Sequence, residues 1–287
     1  MHFYSKRLNI YFYWGLNMEN RDNEEIGLNK NLPFIFGIST IGPLHIQMGL
    51  PCQDACAFLT LPSRIGIVAV SDGLGSADKS DKGSNIAVNT VIDTARSMIS
   101  KNIEFELLDI IKKSIISARI ALENYAEIEK SKLKDYACTL IVVAFKKDKI
   151  SVGQIGDGAV VAKTASRLLL LSKPAESEYI NEVIPLTSED WEKHIQYSES
   201  EENIQTFMTF TDGLQRAALL NTNDGLIPYD GFVNPLFSYS MELSDYSEAE
   251  SDIKEFLESE KMNEHSEDDK TLVIAILPWN INNCSVK

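Results

Sequence analysis

Short apolar runs, each bounded by turn residues, recur along this chain. Phe34 to Thr40 (FIFGIST) reads as a first strand, followed by a turn at Gly42-Pro43, and Ala55 to Leu61 as a second. A third ends Val68-Ala69-Val70 and breaks into the turn chemistry of Ser71-Asp72-Gly73-Leu74-Gly75. After a polar, turn-rich stretch from Ala77 to Ser84 the period lengthens. Ile86, Val88, Val91, Ile92, Ala95 and Ile99 recur at helical spacing, as do Leu107, Leu108, Ile111, Ile115, Ile116 and Ile120, so two amphipathic helices are expected. Strands return over Ala137 to Phe145, Ile150 to Gly158, Ala159 to Lys163 and Leu168 to Leu171, with Lys146 to Lys149 as a hairpin turn. Two late strands are expected over Phe207 to Thr211 and Thr271 to Leu277. Ile253, Phe256 and Leu257 mark a helix, Gly231 to Ser240 reads as a loop, and Glu258 to Asp269 as a charged helix end and turn. Successive short strands joined by tight turns indicate antiparallel sheets rather than a parallel, doubly wound one. With helix pairs before and after, the expected class is α+β: an antiparallel β-sandwich flanked by helices in α-β-β-α layers.

The length of 287 residues suits one large domain or two small ones, and 44% hydrophobic content is ample for a core. Residues 1–33 read as an N-terminal extension, 34–280 as the main domain and 281–287 as a tail. Residues 1–17 carry two charges and an aromatic run, without the aliphatic core or cleavage site of a signal peptide, and no segment is long enough to span a bilayer. A net charge of −15 argues against nucleic acid or an anionic membrane as the main partner. Cys52, Cys56, Cys138 and Cys284 follow no zinc spacing and sit in apolar contexts, which suits reduced thiols in a cytoplasmic protein. The acidic, irregular stretch 172–205 reads as a solvated loop.

The strand ends are where charge changes the picture. Asp72 stands at the end of one apolar run, and Asp212 follows Phe207 to Thr211 with the same Asp-Gly-Leu grammar. Asp268-Asp269 precede the last strand, Asp54 precedes the second, and Asp157 lies in Gly156-Asp157-Gly158 between two more. An Asp-Gly after a strand is usually only a turn. Repeated at five strand ends, the pattern would form, if those ends converge, an all-oxygen site for two hard cations, Mg²⁺ or Mn²⁺ rather than zinc. His45, in Leu44-His45-Ile46, is near enough to Gln53-Asp54 to be a phosphate contact or proton donor; a packing role is the commoner one for a lone histidine.

The ordered set Gln53-Asp54, Ser71-Asp72-Gly73-Leu74-Gly75, Ala137-Cys138-Thr139-Leu140, Gly156-Asp157-Gly158, Thr211-Asp212-Gly213-Leu214 and Asp268-Asp269-Lys270-Thr271 resembles the metal-dependent protein phosphatases of the 2C type, in their bacterial branch. The resemblance runs from about Phe36 to Leu277. It implies a phosphoserine/phosphothreonine protein phosphatase in which two metal ions share the attacking water. By motif position Asp72 would bridge both ions, with the Gly73 carbonyl on the second. Asp212 and Asp268 would hold the first, and Asp54 would act directly or through water. Asp157 would support the site or bind a third ion. Asp269 takes the neighbouring position, often Asn in the family, and is kept with the metal residues as a group that supports them. The family places a flap over the interval 172–205, where Tyr179, Trp191 and His194 are candidates to select substrate. Phosphoproteins and a cognate kinase are the implied partners.

The pattern departs in three places. The phosphate-binding arginine is Gly49, the glutamate of the Glu-Asp pair is Gln53, and the histidine found in many eukaryotic members is Leu74. His45, Lys79 and Arg64 are the candidates to replace the arginine. Retained aspartates favour an enzyme. The lost arginine favours the alternative, a metal-binding pseudophosphatase that recognises a partner without turnover. A two-metal nuclease shares the carboxylate chemistry but not the acidic surface.

Overall fold

The computed structural model describes residues 32–61, 63–101, 105–175, 183–243 and 248–281. The readings of residues 1–17 and of Tyr179 and Cys284 lie outside the described residues.

The strands are β1 (Phe34–Thr40), β2 (Ala55–Thr60), β3 (Gly66–Ser71), β4 (Leu140–Lys146), β5 (Lys149–Ile155), β6 (Ala159–Lys163), β7 (Leu168–Ser172), β8 (Gln196–Ser200), β9 (Thr206–Phe210), β10 (Leu219–Thr222), β11 (Gly225–Pro228) and β12 (Lys270–Ile276). The helices are α1 (Pro43–Met48), α2 (Ser80–Ser100), α3 (Leu107–Ile128), α4 (Gln215–Ala218), α5 (Asp230–Glu242), α6 (Ala249–Glu258), α7 (Glu260–Asn263) and α8 (Pro278–Ile281). Antiparallel pairing builds two five-stranded sheets, ordered β1-β12-β9-β6-β7 and β2-β3-β4-β5-β8, beside a β10–β11 hairpin.

The period-2 apolar runs explain the layers, because the central strands β3, β4, β9 and β12 bury both faces. In β3 and β4, Val68, Val70, Ile141 and Val143 point into the core between the sheets, where Phe207, Val273 and Ala275 meet them from the other sheet. The intervening Ile67, Ala69, Leu140, Val142 and Ala144 face outward and are covered by Val88, Val91, Ile111 and Ile115 of α2 and α3. On the opposite flank, Met208, Phe210, Leu272 and Ile274 are covered by Val233, Phe237, Ile253 and Leu257 of α5 and α6. This is the expected α-β-β-α arrangement.

Local readings change in four places. Gly231 to Ser240 is helix α5, not a loop. Gly231 and Pro235 obscure its period, yet Val233, Leu236, Phe237 and Ser240 fall on one buried face, and burial of Phe237 alone contributes about 1.5–3 kcal/mol. Gly42-Pro43 does not merely turn but opens α1, with proline in its first turn. The polar stretch from Ser80 is the first turn of α2, where Gly83 lies so close to Tyr136 that a Cβ would stand 2.2 Å from its carbonyl oxygen. The acidic stretch 172–205 contains an edge strand, β8, whose Glu199 takes hydrogen bonds or charge from Ser151 Oγ (2.7 Å) and Lys149 Nζ (3.0 Å).

Candidate metal centre

Sheet register brings the acidic strand ends to one rim. Ala55 pairs with Ser71, so Asp54, entering β2, and Asp72, leaving β3, emerge side by side. In the other sheet Phe210 pairs with both Leu272 and Ala159, which sets Asp212, Asp268 and Asp157 at neighbouring ends of β9, β12 and β6.

The backbone of this rim is held closely. The Asp72 N–H donates to Thr139 Oγ1 (2.9 Å), and the Thr139 N–H returns to the Asp72 carbonyl (2.8 Å). Gly73 donates to the Gln53 carbonyl (3.2 Å), and a Cβ there would lie 2.7 Å from that same oxygen, so the position requires glycine. Asp54 is buried, with Oδ2 accepting from the hydroxyls of Thr211 and Thr271, each at 2.8 Å.

The carboxylates act on one another. Burial first, then repulsion from Asp54, Asp212, Asp157 and Asp268, pushes the Asp72 carboxyl well above the usual range. Burial also raises Asp54, against the two threonine hydrogen bonds and with Asp269 and Asp212 adding to the rise. Asp212 is pushed up to about 7 by burial and then by Asp157 and Asp268, with hydrogen bonding to Asp72 opposing the shift. Asp157 is raised mainly by burial, with Asp268 adding to the rise, and its Oδ1 is buried without a hydrogen-bond partner among the described residues. Crowded carboxylates with an unpartnered oxygen are what a divalent cation would relieve, and the donor set is all oxygen.

Asp269 is placed differently from the other acids. Its Oδ1 accepts from the Gly42 N–H (2.7 Å) and its Oδ2 from the Gln53 N–H (2.6 Å), with His45 Nδ1 2.9 Å from Oδ2. Potential ligand atoms of His45, Asp268 and Asp269 lie within 4.8 Å of one another. Because backbone amides already engage both Asp269 oxygens, this group suits fixing the α1–β2 segment better than binding an ion. Asp268 is exposed, and its Oδ1 accepts from the Asp269 N–H (2.8 Å).

The candidates for the missing arginine do not assemble a clamp. His45 is buried against Asp269. Lys79 Nζ is directed to the Tyr136 hydroxyl (3.2 Å) and stands 5.3 Å from the centre of that ring. Arg64 occupies the turn of the β2–β3 hairpin, beyond the Thr60–Gly66 pair and about 17 Å along the strands from the rim. Of the flap candidates, Trp191 packs into the core beneath α3 and His194 is half-buried beside Asp190 (3.3 Å). Thr211 and Thr271 have no assigned role in the sequence reading; both lie inside the quoted motifs, which is the signal that marks them.

Residues 41–258 match the family model described as Protein phosphatase 2C. Serine/threonine-protein phosphatase 3 of Escherichia coli (strain K12) is 33% identical over 245 residues, covering 83% of this chain and 96% of that protein. The solved Mycobacterium tuberculosis serine/threonine phosphatase PstP/Ppp superposes with a TM-score of 0.59 at 14% identity, over 86% of this chain and 99% of its own. The catalytic domain of serine threonine protein phosphatase PstP in complex with 2 manganese ions gives 0.58 at 14% identity, over 85% and 98%. At these identities the structural likeness is one of fold.

Proposed function

Because the chain belongs to the protein phosphatase 2C family, we propose that it is a Mn²⁺- or Mg²⁺-dependent serine/threonine protein phosphatase, with residues 34–280 as its catalytic unit. The observation that carries this reading is the convergence of Asp54, Asp72, Asp157, Asp212 and Asp268, whose carboxyls repel one another at one rim. When bound, two divalent cations supply the Lewis-acid charge and the activated water for attack on a phosphoester phosphorus.

The chain's own residues position that chemistry. Asp72, Asp212 and Asp268, with the Gly73 carbonyl, would hold the ions, Asp72 as the ligand they would share. Asp54, held by Thr211 and Thr271, has one oxygen fixed by hydroxyls and the other left for an ion or water. Asp157 offers its unpartnered Oδ1 as support or to a third ion. Asp269 orients Gln53 and His45 rather than joining the ligands, and His45, buried against that carboxylate, acts through it rather than as a phosphate clamp.

The substrates of this reading are phosphoserine or phosphothreonine proteins, with a kinase acting on the same targets as the opposing partner. The acidic chain and its buried or half-buried free cysteines among the described residues suit the cytoplasm. Among the described residues, no helix is long and apolar enough to cross a membrane. One observation favours a second reading, a metal-binding module without turnover: Gly49 replaces the clamp arginine, and His45, Lys79 and Arg64 are placed elsewhere. Assay of the purified protein on a phosphothreonine peptide, with and without Mn²⁺, decides between the two. Turnover only with Mn²⁺ supports the enzyme, and Mn²⁺ binding without phosphate release supports the binder.

A further inference from the structure

Lys270 is the first residue of β12 and is 1% exposed. An ammonium taken out of water is costly unless hydrogen bonds and opposite charge offset the loss of hydration. Here the charge comes from Asp268, Asp269 and Asp54. The hydrogen bonds are specific: Nζ donates to Asn263 Oδ1 (3.0 Å), at the end of α7, and to the Asp268 carbonyl (3.1 Å). These acceptors stand at the two ends of the connection from Asn263 to Asp268, so one side chain closes the loop that carries a metal-ligand candidate.

The same side chain touches a second such loop. A Cβ on Gly213, next to Asp212, would lie 3.2 Å from Lys270 Cγ and 2.0 Å from the Asp269 carbonyl oxygen, so the stem runs directly under the Asp212 turn. From the other side, the Leu44 N–H donates to the Glu267 carbonyl (3.0 Å), and a Cβ on Gly42 would lie 2.3 Å from the Asp268 carbonyl oxygen. Asp268 thus presents an exposed carboxylate on a backbone gripped from both sides.

We propose that Lys270 is a positioning residue: its ammonium staples the Asn263–Asp268 connection and fixes the Asp268 carboxylate for a divalent cation before the cation arrives. The inference rests on the metal reading of the rim. It also predicts a sign. As a bare positive charge, Lys270 would repel an incoming cation, and its removal would tighten binding. As a staple, it pre-orders a ligand, and its removal weakens binding.

The test is Mn²⁺ titration calorimetry on the full chain, comparing wild type with Lys270→Met, Lys270→Arg, Asn263→Ala and the Met/Ala double variant. Lys270→Met should raise the Mn²⁺ Kd about 10- to 100-fold, the range for groups that hold a metal ligand in place. Lys270→Arg, which keeps donors, should recover part of that affinity. Asn263→Ala should weaken binding less, and the double variant should bind no more weakly than Lys270→Met, because both changes remove one staple. In turnover, the loss should fall on the Mn²⁺ concentration for half-maximal rate rather than on kcat at saturating Mn²⁺, a split that general unfolding does not produce. A folded Lys270→Met protein that binds Mn²⁺ as tightly as wild type, or more tightly, overturns the proposal. If Lys270→Met does not fold, an unchanged Kd in Asn263→Ala overturns it instead. Wild-type protein that binds no Mn²⁺ refutes the metal reading of the rim itself, a result that needs no variant.

Discussion

The sharpest test of substrate binding is Gly49→Arg, because the structure separates its cost from its gain. Gly49 caps α1 at φ 67° and ψ 27°, and among the described residues nothing lies within 4 Å of a Cβ built on it. The substitution therefore meets no steric barrier at Cβ and costs backbone strain, about 1–2 kcal/mol for a residue other than glycine in the left-handed region. In a domain of this size that lowers Tm by about 2–8 °C. If the guanidinium reaches the phosphate, a charge-assisted bidentate contact contributes about 1.5–3 kcal/mol, a roughly ten- to hundredfold lower KM. Gly49→Ala carries the same strain without the guanidinium, so the difference between the Ala and Arg variants isolates the clamp. KM for a phosphothreonine peptide at saturating Mn²⁺, measured beside Tm for wild type and both variants, reads the two effects separately. A stably folded Arg variant whose KM equals that of the Ala variant refutes the reasoning: either another residue already holds the phosphate, or the protein binds no phosphoester.

Three further outcomes follow from the rim. Chelator should abolish phosphoester hydrolysis and Mn²⁺ should restore it better than Ca²⁺, whose longer bonds and larger ligand number fit the rim poorly; undiminished activity in chelator would falsify the metal mechanism. Asp72→Ala should lower kcat/KM by more than about a hundredfold, beyond the usual range for a supporting group, and His45→Ala by less, since Asp269 Oδ2 keeps its 2.6 Å bond from Gln53. The reverse ranking would show the roles to be misassigned. Asp212, with its pKa raised from 3.8 to about 7, holds its proton more tightly in the folded chain than in the unfolded one. Its stabilising contribution to the metal-free protein is therefore full below about pH 4 and is lost as pH rises through about 7. Metal-free Tm should rise from pH 8 to pH 6, while the Tm increase given by Mn²⁺ shrinks as protons compete for the carboxylates. Asp212→Asn should flatten the metal-free trend, and a Tm unmoved by pH in both proteins would count against the assignment.

The sandwich was legible because its strands obey a period of two on both faces: Leu272 and Ile274 face one layer while Val273 and Ala275 face the other, leaving no polar position to blur the run. The same sharpness marked the aspartates, since each breaks an apolar run at its end. Their convergence was not contained in that pattern. It depends on which strands pair, and the expectation that they meet came from the motif resemblance rather than from spacing.

What remained illegible follows from the distances along the chain over which the rim is held. Asp54 is fixed by Thr211 and Thr271, 157 and 217 residues away, and Asp269 grips the backbone of Gln53 across 216. A threonine before Asp-Gly is locally just turn chemistry, and nothing near Asp269 distinguishes a carboxylate that binds metal from one that binds two backbone amides. Lys270 is harder still, because a lysine after two aspartates reads as a solvated charge, whereas β12 begins there and draws it inside. Local sequence thus marks where the charged groups sit along the chain, whereas their roles are set by donors arriving from distant segments. An Asp72 surrounded by carboxylates is free to take a cation, and an Asp269 engaged by Gly42 and Gln53 is committed to the fold. Two acids of one motif, Asp268 and Asp269, therefore divide into one that faces solvent and one that faces the chain, and the backbone amides decide which is which.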